Sequence, residues 1–594
     1  MKRKLSRLLA FIICVASFLS VLTGCEKEAP HTEHVFDQQV TTQEYLKSSA
    51  TCAEKAKYYY SCTCGEKDTS SFFSYGEKGE HNFSKTSVFQ EATCVEPDHY
   101  YKKCSVCGAT DTVEYVGETL LEHKYTKMNP DYKYLKEEAT ATSSAVYYYS
   151  CTMCGGKGTQ TFNYGKTLTE YQEEITDKTL YKPISVTVSL YDAQNSVYGF
   201  TFNTKKEPLR PVLQIQEGNS LTDECLEYGA SFSAETSYDD TGDAHTSNTK
   251  LDYCISKAEV ELKPNTTYTY RLYDKYADVG TNSATITTKD ASAEIFKFAH
   301  VSDSQTANKG NETYFGQVLN RIISDNNDFI VHTGDVVEWS KYEAYWDRML
   351  DNNFAYLSQI PVQAISGNHE TIYQYGSKET FKHFNYKLPA QASVDKGLFY
   401  SFVYGDVKFI MLNTNDLSGN KFKDEQYNWL ISELENNDCT WTVVALHNPL
   451  YSVGTYGSNP DRNQIALALR QQLQGIFAKY GVDIVLQGHD HCISRTYPID
   501  GNGIAQAESM QTENGTEYSL NPQGTIYVMD GPATDQTRSP FASDNTLYKY
   551  AQASQNRSWA EFTVSGNTLT VKVQHLKSDL TADTYQTWGI RKTS

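Results

Sequence analysis

Five apolar runs that each stop at polar residues constrain the fold of this chain more than any other feature. They read "EIFKFAHV", "DFIVHTGD", "VQAISGN", "WTVVALHN" and "VDIVLQGHD". Amphipathic segments typical of helices alternate with them, namely "ETYFGQVLNRIISDN", "DEQYNWLISELENN" and "NQIALALRQQLQGIFAKYG". Apolar strands that alternate with helices predict an α/β domain, which we place at residues 292–594.

Unusual polar residues follow these strands directly. Ligands of α/β domains gather beyond the carboxyl ends of the strands, so we expect the side chains to meet at one edge of one sheet. The residues concerned are Asp303, Gln305, Asp335, Asn368, His369, His447, His489 and His491. Such a mixed set of oxygen and nitrogen donors suits two divalent or trivalent metal ions. Cations ~3.5–4 Å apart repel strongly, so we assign Asp335 to bridge them.

The overall composition excludes one class of partner. The 594 residues contain 53 Lys+Arg and 73 Asp+Glu, which gives a net charge of -20. A nucleic-acid duplex is therefore not an expected partner, because duplex binding depends on basic groups that neutralise phosphates. The length predicts several domains, at roughly 150 residues for each domain.

The N-terminus has the pattern of a secretory signal. Basic residues precede an apolar stretch from Leu8 to Leu22, and "LTGC" ends at Cys25. This tetrapeptide resembles a bacterial lipobox, which implies a signal peptide over residues 1–25, cleavage before Cys25 and a lipid on its thiol. The chain would then be anchored on the extracellular face of a bacterial membrane. The alternative is an uncleaved membrane anchor, although the apolar run is shorter than the ~20 residues that span a bilayer.

Three copies of a cysteine-rich motif occupy residues 26–175. They begin at "ATCAEKAKYYYSCTCGEK", "ATCVEPDHYYKKCSVCGAT" and "ATATSSAVYYYSCTMCGGK", and a histidine precedes each copy. The first set is His34, Cys52, Cys62 and Cys64. The second set is His81, Cys94, Cys104 and Cys107. The third set is His123, Cys151 and Cys154, with Ala141 at the position of the fourth ligand.

Three thiolates and one imidazole suit tetrahedral zinc, which would stabilise modules that are too small to bury much core. Disulfides are the alternative, because an extracellular compartment favours them. The units resemble cysteine-rich repeats at the front of bacterial surface proteins. This resemblance implies spacers, or modules that bind the cell wall.

Residues 180–291 alternate between apolar and polar side chains in short runs such as "ISVTVSLY", "VYGFTFNT" and "TYTYRLYD". Turn residues separate these runs, so the segment predicts a β-sandwich. Its two cysteines, Cys225 and Cys254, are candidates for a disulfide.

The motifs "VSDSQ", "HTGDVVEW", "SGNHE", "ALHNPLY" and "GHDHC" resemble, in this order, those of the calcineurin-like metallophosphoesterases. "SRTYP" and the preceding sandwich resemble the purple acid phosphatase-like branch, with its fibronectin III-like domain. The resemblance implies an α/β domain built on a mixed central β-sandwich. It places metal one on Asp303, Asp335 and His491. It places metal two on Asp335, Asn368, His447 and His489. His369 would donate a proton or contact the phosphate.

Two positions depart from the family pattern. Gln305 stands where most of these enzymes carry histidine, and its neutral amide oxygen is a weaker ligand for metal one. Glu338 stands three residues after Asp335, where the purple enzymes carry a tyrosine. A carboxylate lacks the visible charge-transfer band of an iron phenolate, so we expect the iron form to be pale.

The expected function is that of a surface-anchored dinuclear-metal phosphoesterase. It would hydrolyse phosphate monoesters by attack of a metal-bound hydroxide, with iron, manganese or zinc as the metals. Phosphodiester or nucleotide hydrolysis is one alternative. Another is a catalytically weak surface-binding protein. The polar, turn-rich segment Asp500–Gly524 carries no functional signal, although it could form a rim or lid.

Overall fold

The computed structural model describes residues 33–238, 249–305, 311–371, 378–393, 398–415, 417–418, 421–454, 464–535, 546–553 and 557–593. The expected signal peptide and Cys25 lie outside these residues. Within them, no helix is both long and apolar enough to cross a membrane. The chain divides into two compact units. The first comprises the described residues up to Lys127 together with Ser150–Gly158, and the second comprises Met128–Tyr149 with the described residues from Thr159 onward.

The cysteine-rich repeats form small antiparallel sheets. The first repeat has the strand order β1-β2-β3, with β1 (Leu46–Ser48), β2 (Lys55–Ser61) and β3 (Lys67–Lys78). The second repeat has the order β4-β5-β6, with β4 (Phe83–Gln90), β5 (His99–Cys104) and β6 (Thr110–Val116). The third repeat is divided between the two units and contributes β7 (Tyr125–Lys127), β8 (Leu135–Glu137), β9 (Ala145–Cys151) and β10 (Lys157–Tyr164).

Helix α1 (Leu168–Glu174) follows the repeats, and a capping box between Thr167 and Glu170 starts it. Short 3₁₀ helices cover Gln43–Tyr45, Tyr132–Tyr134, Lys178–Tyr181 and Ala193–Asn195. The next segment forms two antiparallel sheets, of orders β11-β12-β16-β15 and β14-β13-β17-β18, with β19 also paired to β17. Their strands are β11 (Ile184–Asp192), β12 (Val197–Thr204), β13 (Pro211–Glu217), β14 (Leu226–Gly229), β15 (Ser231–Tyr238), β16 (Lys250–Glu261), β17 (Thr267–Asp274), β18 (Val279–Gly280) and β19 (Ala284–Thr287).

The C-terminal domain is built on two mixed sheets. An eight-stranded sheet has the order β22-β21-β20-β34-β35-β36-β31-β30, and a seven-stranded sheet has the order β23-β24-β27-β28-β32-β29-β33. Their strands, with the small pair β25 and β26, are β20 (Ile295–Val301), β21 (Phe329–His332), β22 (Val362–Ala364), β23 (Tyr400–Tyr404), β24 (Val407–Met411), β25 (Leu417–Ser418), β26 (Lys421–Phe422), β27 (Trp441–Leu446), β28 (Ile484–Gln487), β29 (Cys492–Thr496), β30 (Ser509–Glu513), β31 (Thr516–Leu520), β32 (Ile526–Asp530), β33 (Tyr548–Ala553), β34 (Ser558–Ser565), β35 (Thr568–Leu576) and β36 (Ala582–Arg591).

Seven helices lie in the described residues of this domain. They are α2 (Asn311–Ser324), α3 (Glu343–Asn352), α4 (Phe354–Leu357), α5 (Asn368–Thr371), α6 (Lys378–His383), α7 (Asp424–Glu435) and α8 (Gln464–Lys479). The three that were predicted, α2, α7 and α8, begin and end close to the predicted positions. The amphipathic period alone places α2, α7 and α8, because each buries one apolar face. Helices α7 and α8 bury Trp429, Leu430, Leu469 and Phe477 in the same apolar cluster as strand residues of the seven-stranded sheet.

The five ligand-bearing strands belong to two sheets, so the expectation of one sheet was wrong. Strands β20, β21 and β22 run parallel in the eight-stranded sheet, whereas β27 and β28 run parallel in the seven-stranded sheet. Apolar faces join the two sheets. The Phe409 ring of β24 lies 5.1 Å from the Phe298 ring of β20 and 5.5 Å from the Phe329 ring of β21, between centroids. Apolar runs do not reveal which strands pair, because a strand buried on both faces reads the same in either sheet.

The segment Asp500–Gly524 is not a free rim or lid. It folds into the hairpin β30–β31, and β31 pairs in parallel with β36, so the segment extends the eight-stranded sheet. Asn514 and Gly515 form the hairpin turn with φ angles of 50° and 83°. These left-handed angles are the ones that an Asn-Gly turn supplies.

The sandwich contacts β22, one of the strands that carry the predicted ligands, directly. The side-chain amide of Gln363 on β22 accepts a hydrogen bond from the Leu190 N–H (3.0 Å) and donates one to the Leu190 carbonyl (3.3 Å). This amide therefore mimics a backbone partner and joins β11 to the strand that leads to Asn368. Tyr270 adds a hydrogen bond of 2.8 Å from its hydroxyl to the Ser358 carbonyl.

Part of the third repeat belongs to the same compact unit as the sandwich. Glu138 accepts hydrogen bonds from the Arg210 guanidinium at 3.0–3.2 Å and from the Tyr276 hydroxyl at 2.7 Å. The Arg210 side chain is only 6% exposed, so it depends on this carboxylate for a partner. The compact unit that contains the sandwich thus includes residues before our predicted sandwich start at residue 180.

Asp347 on α3 supplies a test of the contact between the sandwich and the C-terminal domain. It accepts a hydrogen bond of 2.5 Å from the Ser185 hydroxyl of β11. Burial raises the pKa of this carboxyl to about 6. The folded chain therefore holds the proton more tightly than the unfolded chain does, and ionisation of Asp347 destabilises the fold as pH rises from about 4 to 6.

We expect Asp347→Asn to raise the free energy of unfolding at pH 7 by on the order of 2 kcal/mol, because the amide keeps the acceptor oxygen and removes the buried charge. The gain should disappear below about pH 4, where the parent carboxyl is protonated in both states. Thermal unfolding across this pH range measures it, with Asp438→Asn at an exposed position as the control. A variant that is no more stable than the parent at pH 7 would contradict the assignment.

Candidate metal centre

The carboxyl ends of β20, β21, β22, β27 and β28 carry the predicted ligands to one place. Asp335 and His447 form the tightest part of this cluster, with 3.3 Å between Asp335 Oδ2 and His447 Nε2. The Asn368 Oδ1 atom lies 2.9 Å from the same nitrogen. Ligand atoms of Asp335, His447 and His489 all lie within 4.8 Å of one another. Asp335, Asn368, His447 and His489 are therefore close together, and they are the four residues that the family resemblance implies for metal two.

The tautomer of His447 follows from its second nitrogen. Its Nδ1 lies 2.8 Å from the Thr333 carbonyl oxygen, which can only accept a hydrogen bond. Nδ1 therefore carries the hydrogen, and Nε2 faces Asp335 and Asn368 as the donor atom for a metal.

Asp303 and His491 form the other side of the site. His491 Nε2 lies 3.4 Å from Asp303 Oδ1, and the backbone N–H of His489 donates to both Asp303 oxygens at 3.1 Å. These residues, with Asp335, are the set expected for metal one. Asp303 and His491 are both almost fully buried.

Electrostatics explain how acidic groups persist in this buried place. Burial alone would raise the pKa of Asp335, but His447 and His369 hold it well below its ordinary value. Burial opposes protonation of His447, yet the Asp335 carboxylate raises the pKa of this imidazole to about 9. Buried carboxylates therefore require positive charge beside them. The oxygen and imidazole donors fit two divalent or trivalent metal ions, which would supply that charge.

Three of the ligands lie in strained backbone conformations. The φ angles of Asp303, Asp335 and His489 are 53°, 53° and 73°, a region that residues other than glycine rarely adopt. Close backbone approach adds a second constraint. A Cβ atom on Gly367 would lie 2.0 Å from Asp335 Oδ1, so only glycine fits beside this carboxylate. Such strain is typical of functional sites held by the surrounding structure.

Glu370 holds the two ligand loops together, and sequence analysis did not single it out. Its buried carboxylate accepts hydrogen bonds from the N–H groups of Asp335 (2.9 Å), Val336 (2.9 Å), Val337 (3.2 Å) and Gly367 (2.6 Å). One side chain therefore holds both the loop that contains Asp335 and the loop that contains Gly367. The signal for this role was the acidic residue that ends "SGNHE".

His369 is positioned differently from the buried ligands. Its side chain is 22% exposed, whereas that of Asp335 is 3% exposed. Its backbone N–H donates to Asp335 Oδ1 at 2.9 Å, and its Nδ1 donates to the Glu338 carbonyl at 2.9 Å. The Glu338 carboxylate lies 3.7 Å from Nδ1 of the same ring. His369 Nε2 thus belongs to an accessible, oriented imidazole.

Gln305 connects the two aspartate loops. Its backbone N–H donates to the Asp335 carbonyl at 3.0 Å. With the side-chain amide oriented to suit its neighbours, its nitrogen donates to the carbonyls of Asp303 and Asp335, both at 3.1 Å. Coordination of metal one by the amide oxygen stays a prediction.

Sequence analysis also did not identify two buried histidines, His300 and His332, in the strands that lead to Asp303 and Asp335. His300 Nδ1 lies 2.6 Å from Asp530 Oδ2, and His300 Nε2 lies 3.0 Å from the Thr333 hydroxyl. His332 Nε2 lies 2.8 Å from the Ser304 hydroxyl, and burial lowers the pKa of His332 to about 3. The available signal was spacing, because each histidine precedes a ligand aspartate by three residues in "HVSD" and "HTGD".

The cysteine sets are grouped differently from our expectation, so the predicted tetrads were wrong. One group comprises Cys52, His81, Cys104 and Cys107. Another comprises Cys94, His123, Cys151 and Cys154. Cys62 and Cys64 form a disulfide beside His34. The predicted Cys225–Cys254 disulfide is absent, because both of these described cysteines are free.

Comparison with known proteins agrees with this geometry. Residues 296–492 match the family model of the calcineurin-like phosphoesterases, and these residues contain every predicted ligand. This chain contains a calcineurin-like metallophosphoesterase domain. A solved purple acid phosphatase, PPD1 from yellow lupin (Lupinus luteus), shares the fold with a TM-score of 0.54 at 19% identity, over 69% of this chain and 75% of that chain.

Curated relatives match the metallophosphoesterase domain over part of their lengths. Purple acid phosphatase 23 of Arabidopsis thaliana is 29% identical over 211 residues, which are 34% of this chain and 41% of that protein. Probable inactive purple acid phosphatase 27 of the same plant is 26% identical over 323 residues, which are 50% of this chain and 49% of that protein. The chain thus spans less than half the length of these relatives.

The role of Glu370 in the metallophosphoesterase site is testable. Glu370→Gln replaces one acceptor oxygen by an NH₂ group that would face backbone N–H donors. We expect metal affinity and kcat each to fall about 10–100-fold, as when partners that orient metal ligands are lost. Metal titration and turnover of an aryl phosphate measure both, with Glu425→Gln on α7 as the matched control. Unchanged metal affinity and turnover in the Glu370 variant would refute this role.

Proposed function

We propose that this chain is a dinuclear-metal phosphoesterase that hydrolyses phosphate monoesters. The observation that carries the proposal is the convergence of five strand ends from two sheets on one buried cluster of carboxylate, amide and imidazole donors. Matches to a plant purple acid phosphatase and to an acid phosphatase of Aspergillus ficuum, which is 30% identical over 127 residues, support phosphatase chemistry.

The residues that would hold the metals are those predicted from the sequence. They are Asp303, Asp335 and His491 for one ion. They are Asp335, Asn368, His447 and His489 for the other. Bound metals supply Lewis acidity toward the phosphoryl group and lower the pKa of water. Iron, manganese and zinc all accept such donors.

The protein side chains supply orientation and a proton. Asp335 stands between the two sets, with its Oδ1 fixed by the His369 N–H and its Oδ2 beside His447. His369 is the exposed member of the cluster, and its Nδ1 donates to the Glu338 carbonyl. Its Nε2 is therefore the atom that we assign to protonate the departing alkoxide of the substrate.

Localisation and the remaining modules complete the proposal. We assign a lipid to Cys25 that tethers the chain to the outer face of a bacterial membrane, on the strength of the basic, apolar and "LTGC" sequence pattern. The two-sheet sandwich is assigned as a fibronectin III-like domain because of its antiparallel order. The cysteine-rich repeats would face the cell wall.

The proton-donor role of His369 predicts a dependence on the leaving group. We expect His369→Asn to lower kcat by about 10²-fold or more for an alkyl phosphate, whose alkoxide needs a proton. For 4-nitrophenyl phosphate the loss should be less than about tenfold, because this anion leaves without protonation. Steady-state rates on both esters, and on bis(4-nitrophenyl) phosphate as a matched diester, provide the measurement.

The control for this experiment is His99→Asn, which removes a histidine of the second repeat that pairs with Glu114. Equal losses on both monoesters would assign His369 to phosphate contact rather than to proton transfer. A metal-loaded parent chain that turns over only the diester would overturn the monoesterase proposal, and one that turns over neither ester would overturn the phosphoesterase proposal itself.

A further inference from the structure

The cysteine groups combine residues from successive repeats. Cys52 belongs to the first repeat, in the turn between β1 and β2. Its neighbours His81, Cys104 and Cys107 all belong to the second repeat. The other group repeats this arrangement one step along the chain, since Cys94 of the second repeat meets His123, Cys151 and Cys154 of the third repeat.

Distances within the groups fit a tetrahedral metal site. The sulfurs of Cys52 and Cys104 are 3.4 Å apart, and those of Cys94 and Cys151 are 3.6 Å apart. Two sulfurs bound to one tetrahedral zinc at about 2.3 Å each are separated by roughly 3.8 Å. A disulfide would instead bring two sulfurs to about 2.05 Å. In each group all four ligand atoms lie within 4.8 Å of one another.

A shared turn explains why the groups cross from one repeat to the next. The Thr51 hydroxyl accepts hydrogen bonds from the two N–H groups that follow Cys52, and the Thr51 carbonyl accepts one from the Gly79 N–H at 3.0 Å. Gly79 lies two residues before His81, so this bond places Cys52 beside the histidine of the next repeat. The Thr93 carbonyl accepts the equivalent hydrogen bond from the Leu121 N–H at 2.9 Å, and Leu121 lies two residues before His123.

Aromatic rings orient the histidines. The His81 ring stacks on Phe83 with centroids 5.4 Å apart, and the His123 ring stacks on Tyr125 at 5.3 Å. The Nδ1 atoms then face sulfur, 3.2 Å from Cys107 for His81 and 3.4 Å from Cys154 for His123.

We propose that the cysteine-rich segment binds two zinc ions, each held by three ligands of one repeat and by the first cysteine of the preceding repeat. Each ion thus links two neighbouring repeats, which have little apolar core of their own. The arrangement explains Ala141, because the last repeat has no following repeat that needs its cysteine. The turn of the last repeat keeps the equivalent hydrogen bond, in which the Thr140 carbonyl accepts the Leu168 N–H at 2.8 Å. Leu168 is the first residue of α1.

The test uses Co²⁺ substitution of the full chain under reducing conditions. Only thiolate ligands give a sulfur-to-cobalt charge-transfer band. Cobalt in the catalytic site, which has nitrogen and oxygen ligands, therefore contributes nothing to this band. We expect two equivalents that are each bound by three thiolates, one for each group of three cysteines and one histidine, whereas the group of His34, Cys62 and Cys64 offers only two thiolates. Cys52→Ser and Cys104→Ser should each remove one equivalent, and the double variant should also remove only one. Cys439→Ser, at a free cysteine outside these groups, is the control and should remove none.

The pairing across repeats fails if the Cys52→Ser and Cys104→Ser double variant loses both equivalents, because the two cysteines would then serve different ions. Zinc binding itself fails if the parent chain binds no thiolate-bound metal and peptide mapping of the chain, purified without reductant, shows Cys52–Cys104 and Cys94–Cys151 disulfides. Phosphoesterase activity shows that the C-terminal domain of each variant is folded, because these cysteines supply no predicted ligand of the catalytic centre.

Discussion

The Asp335 carboxylate and its backbone link the elements of the catalytic site. Its Oδ1 accepts the N–H of His369, its Oδ2 lies beside His447, and its own N–H donates to Glu370. Its carbonyl receives the N–H of Gln305. Through these contacts one residue connects the ends of three strands in one sheet, β20, β21 and β22, with β27 of the other sheet. The two sheets must therefore stack in a fixed register for the site to exist.

This geometry has an energetic cost that the surrounding structure offsets. A residue other than glycine in the left-handed region costs on the order of 1–3 kcal/mol, and Asp303, Asp335 and His489 all adopt it. A hydrogen bond to a charged group contributes about 1.5–3 kcal/mol, and Glu370 alone accepts four from the two ligand loops. The strain at the ligands is thus sustained by a buried carboxylate that does not belong to the predicted ligand set.

The sequence predicted the ligands better than their surroundings. Helices α2, α7 and α8 follow from amphipathic periods, and the ligand residues follow from polar residues at strand ends, because both signals are local. The division of the strands between two sheets does not follow from the apolar runs, since strands buried on both faces carry no alternation, and only the family resemblance implied a β-sandwich. The cysteine groups were misassigned for a similar reason. Spacing shows that a motif repeats, whereas the Thr51–Gly79 bond that shifts the groups by one repeat exists only in three dimensions.

Asp335 is the residue that we propose to join two metal ions where the strand ends meet. Electron paramagnetic resonance of the full chain loaded with Mn²⁺ tests this proposal most directly, because the thiol-rich repeats disfavour this metal. We predict the signal of a spin-coupled manganese pair in the parent chain, and its loss in Asp335→Asn. A spectrum of isolated Mn²⁺ ions alone in the fully loaded parent chain would contradict the proposal.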